Sequence, residues 1–534
     1  MNIGDRLGRG ARPELGTGYS IAPEDVPDAQ SVVYSGFNSG LVLSDSAENV
    51  PQDAAIQAID MEVDRKGRLI RSPGLSLLED VNPKKLRYIF EQASLDYATE
   101  LVAFDAPNWG YKAAGNFNWF NIGVPAPGPT GWAAANYAGT LIASNGLDKT
   151  YARQPNGVVL ENITAQIIAR TLAVQFGRLF GGYYTEAGVP QSLGLKWNAA
   201  SGDYNDFAGI GAGSELLLSD VGESDKLVAL LPMGLDALAI LNRKSLWAGY
   251  ATDNYLRPAD PRIRVTGLGC VSAETARATP IGTTFLSDEG VAVFDLANAE
   301  IISNDINSEL LPLDYTRISS YKAIFLPQGR RYILLTPFCT WIYEFAHQGR
   351  KARWFRRSFI GDNAIVWSTQ TGGYTWDMMV GDWDHQTATW DSLALTQSDA
   401  PAQPHFIVGG KLGKESRASF DNFGVALTPV WQTPQSDKVV ITDMYTTLGY
   451  EISYASFADA QIRIISTDYN DDIQPAGGVL KTLPSTGGQA RKRMIWNQTT
   501  GMGVRAHIAV VSGDPAISRI RQLVMPAGPV ITSI

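Results

Sequence analysis

The chain is poor in the residues on which most catalytic and metal chemistry depends. Two cysteines, Cys270 and Cys339, and four histidines, His347, His385, His405 and His507, are all that 534 residues contain. There is no C-x-x-C pair, and no two histidines stand at the H-x-x-x-H spacing of a metal-binding helix, so the sequence predicts no metal site and no cofactor. Each histidine reads as a surface or loop residue. Two buried free thiols are expected rather than a disulfide, because unpaired cysteine behaves as a small apolar side chain. No G-x-S-x-G nucleophile elbow occurs. No stretch approaches the ~18 uninterrupted apolar residues of a membrane-spanning helix. The opening Met-Asn-Ile-Gly-Asp-Arg-Leu-Gly-Arg-Gly lacks an apolar core, which predicts a chain without a signal peptide that is made in a cytoplasm.

Charge is sparse and of the wrong sign for gripping nucleic acid. Charged residues make up 18%, with 44 basic against 54 acidic side chains and a formal net charge of -10. Proteins that hold DNA by neutralising phosphates are basic overall or carry a basic face. An acidic wall repels phosphates and lets a duplex slide past. Helix signals are scarce as well: few stretches join a cap, 3.6-residue apolar periodicity and a terminal glycine. The best helical candidate, Ala54 to Met61, is short.

What the sequence does have is aromatics and glycine: 13 Trp, 21 Tyr and 52 Gly. Aromatics suit the half-buried pleated surface of strands and glycines the turns between them, so the fold class is all-β. An apolar strand, a tight polar turn and a second apolar strand recur at 132–146, 171–184, 237–250, 283–294 and 323–335, with a weaker copy at His405 to Lys414. Each turn carries Gly, Asn or Asp, as tight hairpins require. The turns fall near residues 139, 177, 243, 288, 329 and 410, several of them spaced close to the ~40–50 residues of one propeller blade. Residues 361–395, with Trp367, Trp376 and Trp390 on strands, fill the widest gap. The expectation is a β-propeller of six to eight blades, with seven the central value, between about residues 84 and 430. Packing small sheets around an axis leaves only short edges, which separate sandwiches do not explain at this spacing.

Three domains follow from this reading. Residues 1–50, rich in Gly, Pro, Ser and Asp, form an extended N-terminal arm that cannot fold alone. Residues 51–430 hold the propeller with its entry strand. Val430 to Asp437 reads as a linker, and residues 431–534, with strands near 438–447, 460–467, 478–484, 490–497, 503–511 and 518–525, form a β-sandwich docking domain.

Candidate sites are few. Gly209-Ile-Gly211-Ala-Gly213-Ser214 lacks the third glycine of a dinucleotide fingerprint and reads as a loop. Gly409 to Lys414 fails phosphate-loop spacing and reads as a hairpin turn. Ser368 to Trp376 approaches an Asp-box turn of sialidase propellers, but Gln370 takes the key position. Asp468 to Asp472 gathers carboxylates without the glycine and terminal glutamate of an EF-hand, and reads as a solvated loop. The strongest charge run is Arg350, Lys351, Arg353, Arg356 and Arg357 around Trp354 and Phe355. A second is Arg491, Lys492 and Arg493. These eight are the candidates for contact with another subunit or with DNA, against the plainer reading of a strand whose arginines pair with neighbouring acids.

Several stretches carry a family likeness. They are Ile59 to Gly74, with its Arg71-Ser-Pro73-Gly74 turn; Asp225 to Pro232 followed by Leu235 to Leu241 and Lys244 to Trp247; Gly267 to Ser272 with Phe285 to Val291; and Tyr332 to Leu335 with Trp341 to Phe345. Over about residues 50–430 the chain resembles the β-propeller tail proteins of short-tailed bacteriophages, the tail nozzle group also called tail tubular protein B. The resemblance implies a non-enzymatic virion protein assembled in the host cytoplasm. It implies a ring of this chain, a hexamer, below the portal and adaptor proteins and next to tail fibres or the tail tip. Double-stranded DNA passes through its channel without sequence-specific binding. Two other readings of the residues stand beside it: a propeller adhesin that binds host glycans, and a sialidase-like glycoside hydrolase working through paired carboxylates.

Overall fold

The computed structural model describes residues 30–44, 49–80, 88–93, 99–105, 108–112, 118–121, 131–154, 157, 159–200, 203–218, 225–347, 350–367, 403–427, 429–434, 443–467, 479–502 and 505–529. It divides into two compact units. Of the described residues, those within 41–44 and 72–427 form one, and those within 30–40, 49–71 and 429–529 form the other.

The first unit is a seven-bladed β-propeller. Seven antiparallel four-stranded sheets follow one another along the chain, and their innermost strands are Tyr88–Ala93, Ala133–Tyr137, Ala169–Gln175, Leu227–Met233, Arg277–Thr279, Lys322–Leu326 and Asn363–Trp367. Each innermost strand touches the next, and the seventh touches the first, so the ring is closed. We number the blades one to seven in that order. Blade seven takes its fourth strand, Gly74–Asp80, from the N-terminal side of the propeller, pairing it antiparallel with Lys411–Ser416. The ends of the ring are thereby joined by a hydrogen-bonded ladder. Gly74 opens that strand where the backbone of the last blade comes closest: a Cβ there would lie 2.5 Å from the carbonyl oxygen of Asp421.

Large side chains fill the space between blades. Phe104 of blade one stacks on Trp132 at the start of blade two with ring centres 4.5 Å apart. Phe180, Leu195 and Trp197 of blade three pack on Leu230, Leu238 and Ile240 of blade four. Ile89 and Leu101 of blade one meet Ile407 and Leu412 of blade seven, sealing the ring. Burying one such side chain contributes about 1.5–3 kcal/mol.

Polar clasps reinforce this packing. Gln92, near the end of the first innermost strand, donates to the carbonyls of Gly139 and Arg153 in blade two. Tyr137, at the end of the second, donates to Gly177 of blade three at 3.0 Å. Gln175, at the end of the third, donates to Gly234 and Ala237 of blade four. In each case an innermost strand ends on a side chain that reaches the first hairpin turn of the next blade.

The turns read from the sequence belong to two different places in a blade. Those near 139, 177 and 329 join the first and second strands, whereas those near 243, 288 and 410 join the second and third. That alternation, rather than missing blades, makes their spacing uneven. Blade seven begins at Asn363–Trp367 and resumes at Gln403–Val408. The strands expected around Trp376 and Trp390, the Asp-box-like turn from Ser368 and His385 lie outside the described residues, as does the acidic loop Asp468 to Asp472.

The second unit contains two antiparallel sheets in the manner of a β-sandwich. One runs in the order Arg491–Met502, Asp443–Ala455, Ala516–Pro529, Leu69–Arg71, Met61–Val63. The other runs Gln57–Ile59, Val430–Gln432, Arg505–Ser512, Ala460–Thr467, Val479–Leu483. All six strands expected beyond residue 438 are present. Alternate residues such as Ile462 and Ile464, or Tyr450, Ile452 and Tyr454, are buried, which fixes the register of each strand.

Two local expectations are corrected here, and part of the arm is placed. Ala54 to Met61 is not helical; it holds the strands Ala54–Ala55 and Gln57–Ile59 and the first residue of Met61–Val63. Ile56 donates its amide to the carbonyl of Gln432, and Asp60 has a φ of +52°, so strand pairing overrides helix propensity. Val430 to Asp437 is not simply a linker: Val430–Gln432 is a central strand, and the Trp431 ring is fully buried with Phe37 edge-on at 5.7 Å. Within the arm, Gln30–Ser35 is a strand on Ala516–Pro529, and the Leu43 amide donates to Asp305 of the propeller unit at 2.6 Å. The described part of the arm acquires through distant pairing the hydrogen bonds that it cannot make by itself.

Candidate functional site

The innermost strands of a propeller converge on its axis, so residues at the same level of successive blades face one space. Here that space is a cavity of about 500 Å³, walled by residues from all seven blades, including Tyr88 to Glu91, Trp132, Arg170, Ala229 to Leu231, Glu274, Arg277, Phe325 and Asn363. Its apolar wall is interrupted by two arginines and two glutamates.

Glu274 lies on the 3₁₀ turn Ala273–Thr275 that precedes the innermost strand of blade five. The turn is held from both sides: Thr275 accepts from the Leu286 amide and donates to Ser272, and the Tyr332 hydroxyl donates to the Thr275 carbonyl at 2.7 Å. Lys322, from blade six, forms an ion pair with Glu274 at 3.0 Å, and its ammonium lies 4.2 Å from the ring centre of Tyr88 in blade one. Blade seven stands between blades six and one, so Lys322 reaches past it. Glu274, Lys322 and Tyr88 therefore bridge three blades beside the axis. Gly131, with a φ of +81°, leaves room for the Tyr88 ring, which a Cβ would approach to 2.5 Å.

Desolvation governs the titration of this wall. Burial pushes the Glu274 carboxyl above its usual range, although Lys322 and Arg277 oppose the shift. Burial lowers the Arg277 guanidinium, opposed by Glu274. Glu91 is raised by burial alone. Among the described residues no hydrogen bond or ion pair reaches the Glu91 carboxylate, whose residue is only half-buried. The Arg170 guanidinium rests 3.8 Å above the Tyr183 ring and is matched by no carboxylate among the described residues. Arg277 donates to the carbonyl of its own neighbour Ala276 at 2.7 Å.

The residues singled out from the sequence lie elsewhere. Arg353 and Arg357 are buried in the outer strand of blade six. Arg353 pairs with Glu344 at 2.9 Å and Arg357 with Glu415 at 2.5 Å. Arg350 also reaches Glu344, at 3.5 Å, and Arg356 pairs with Glu309 at 2.6 Å while standing 5.8 Å from the Trp341 ring centre. Lys351 is exposed. In the second unit Arg491 and Lys492 are exposed, Arg493 is half-buried, and Lys492 lies 3.6 Å from Glu451. Gly209 to Ser214 is a loop entering the strand Gly213–Leu216, and Gly409 and Gly410, both at positive φ, make a hairpin turn. His347 is in a loop. His405 and His507 instead lie on strands, His405 buried and His507 lowered in pKa by burial. Both cysteines are buried free thiols.

Sequence reasoning passed over Glu91, Arg170, Glu274, Arg277 and Lys322. A signal was present: Ala169-Arg170-Thr171, Ala276-Arg277-Ala278 and Tyr321-Lys322-Ala323 each place one cation beside alanine at the start of a blade. Small neighbours at that position make room for a charged side chain near the axis.

No model of a known protein family matches the chain, and no curated protein matches its sequence. Solved structures do. U3-55K aligns at 9% identity over 54% of this chain and 87% of its own, with a TM-score of 0.36. The β-propeller domain of Cps50 (Swd1) from Myceliophteria thermophila aligns at 11% identity over 52% and 88%, with a TM-score of 0.33. YCF48, solved bound to D1 peptide, aligns at 8% identity over 67% and 97%, with a TM-score of 0.36.

Proposed function

We propose that this chain is a non-enzymatic structural subunit of a short bacteriophage tail, one of a closed ring, a hexamer, below the portal and adaptor. In this reading the ring walls part of the path along which packaged DNA is retained and then ejected. The reading rests first on the sequence resemblance across residues 50–430. The observation that carries it further is the Glu274–Lys322–Tyr88 bridge beside the propeller axis. A side chain of one blade that touches a ring two blades away leaves an axial opening far narrower than a duplex, whose major groove alone is about 12 Å wide. In this reading DNA does not thread the propeller, and the duplex runs between subunits along the outside of each one. Closed rings follow from heterologous contacts whose rotation closes. The net charge of -10 suits a wall that duplex must slide along without sticking.

Native mass spectrometry and electron microscopy of the purified chain, alone and with a portal–adaptor complex, test this. A ring of defined stoichiometry around a central channel is expected. A chain that stays monomeric with that complex present overturns the reading. So does glycan cleavage abolished by a single Asp or Glu substitution.

A further inference from the structure

The axial cavity has a composition that an assembly role alone does not call for. A structural propeller is most stable when its axis is filled with apolar side chains or with charges that satisfy one another, since a desolvated charge without a partner is costly. Glu274 and Lys322 meet that condition. Glu91 and Arg170 do not, and Arg277 shares the charge of Glu274 with Lys322. Glu91 makes no hydrogen bond or ion pair with a described residue through its carboxylate. Arg170 rests on the Tyr183 face, and among the described residues no acceptor meets the edges of the guanidinium, where its five N–H groups point. Arg277 spends one nitrogen on a backbone carbonyl and keeps the others.

These groups come from three blades: Glu91 from blade one, Arg170 from blade three and Arg277 from blade five. All three line the one cavity. Blade four contributes Ala229, Leu230 and Leu231 between the two arginines, so a ligand there meets an apolar floor flanked by two forked donors. At about 500 Å³ the cavity is far larger than a bound ion needs, given that a water molecule takes about 30 Å³. It falls within the roughly 300–1,000 Å³ of small-molecule sites, which are mostly apolar with a few convergent polar groups.

We infer that the cavity on the propeller axis binds a small hydroxylated carboxylate of the size of a sugar acid, with Arg170 and Arg277 taking its carboxylate and Glu91 accepting from its hydroxyls. Guanidinium groups pair with a carboxylate through parallel N–H donors, which sets the anionic end of the ligand. Glu91, carried on a different blade from either arginine and paired with no cation among the described residues, selects hydroxyl donors. Tyr88, Phe90, Trp132 and Phe325 supply apolar surface for the carbon skeleton. This site is internal to one propeller and does not depend on the ring.

The test is binding by the full chain of glucuronate, galacturonate and N-acetylneuraminate, with glucose, galactose and inorganic phosphate as comparison probes, by titration calorimetry and saturation-transfer NMR. Saturable binding of at least one sugar acid is expected, at least tenfold tighter than its neutral counterpart. Arg170→Gln and Arg277→Gln are each expected to weaken it at least tenfold, and Glu91→Gln to weaken it while leaving the preference for the acid. Arg170 is half-buried and held by a ring contact, so its variant reports on binding even where the Arg277 variant fails to fold. No saturable binding of any sugar acid at millimolar concentration overturns the inference. So does binding of phosphate alone, or sugar-acid binding unchanged in Arg170→Gln. Because the measurement reads a single propeller, its failure leaves the ring untouched, and a monomeric chain does not spoil it.

Discussion

The side-chain amide of Gln175 donates to the carbonyl of Gly234 at 3.1 Å and to that of Ala237 at 2.9 Å, tying the end of one blade's innermost strand to the first turn of the next. Gln92, two blades earlier in the ring, does the same to Gly139. The same amide chemistry at the same structural position, two blades apart, marks a repeated inter-blade joint. Gln175→Leu keeps the volume and takes this donor from the buried carbonyl of Ala237 and the more exposed one of Gly234, at a cost of about 1–3 kcal/mol. Thermal or urea unfolding is expected to show that loss. Gln403→Leu, at an exposed strand position, is expected to change stability by no more than about 0.5 kcal/mol.

The arginine run on blade six separates into buried and exposed pairs, and the two kinds differ in worth. Arg357 is buried and its partner Glu415 nearly so, whereas Arg356 and Glu309 are substantially exposed. Glu415→Gln takes a charge partner from a guanidinium that water cannot reach, and is expected to destabilise by about 3–5 kcal/mol. Glu309→Gln is expected to cost about 1 kcal/mol or less. Equal losses in chemical denaturation would show that burial does not set the value of these pairs.

How far the sequence disclosed this molecule depends on the range over which its signals act. Local signals were readable. The hairpin turns at Gly139, Gly177 and Gly410 announce themselves through positive-φ glycines between apolar runs. Blade number was readable as a range, because the recurring hairpins were mixed between first and second turns. Signals that depend on distant pairing were not readable. Ala54 to Met61 has the composition of a short helix, yet its fate is set by Gln432 nearly four hundred positions away. Trp431, in a stretch with the polar and proline content of a linker, is drawn into a central strand by Ala58 and Ile508. The axial cavity was hidden for the same reason. Glu91, Arg170 and Arg277 are isolated charges in three separate strands, and only closure of the ring brings them to one space. The dense arginine run caught the eye instead, and the acids that satisfy it, Glu309, Glu344 and Glu415, are scattered along the chain.

Burial makes both thiols poor nucleophiles. It pushes Cys270 up to about 12 and also raises Cys339. Thiolate is the reactive form, so neither cysteine is expected to react with an aromatic disulfide reagent in the native protein at neutral pH. Both are expected to react as the chain unfolds, in step with loss of tryptophan burial. A thiol titrating rapidly under native conditions would mean that the blade around it opens locally.

Glu91 gives the propeller a pH dependence whose sign can be worked out. Burial raises its folded pKa above the unfolded value, so folding favours the protonated carboxyl. The stability associated with that proton is fully present below the unfolded pKa and is lost as pH rises through the folded one. At neutral pH the wild-type chain therefore carries an ionised, partly desolvated carboxylate, and Glu91→Gln removes that burden. The variant is expected to melt higher than wild type at pH 7, with the difference shrinking as pH falls towards the ordinary glutamate value of about 4.3. Glu274→Gln supplies the contrast. Its carboxyl is raised in the same direction, but it also holds Lys322 at 3.0 Å, so its removal leaves a buried ammonium short of its charge and is expected to lower the melting temperature at pH 7. Melting curves of the two variants across pH 4–8 distinguish a carboxylate kept without a partner from one that fastens two blades. A Glu91→Gln variant less stable than wild type at neutral pH would show that the carboxylate is satisfied within the fold.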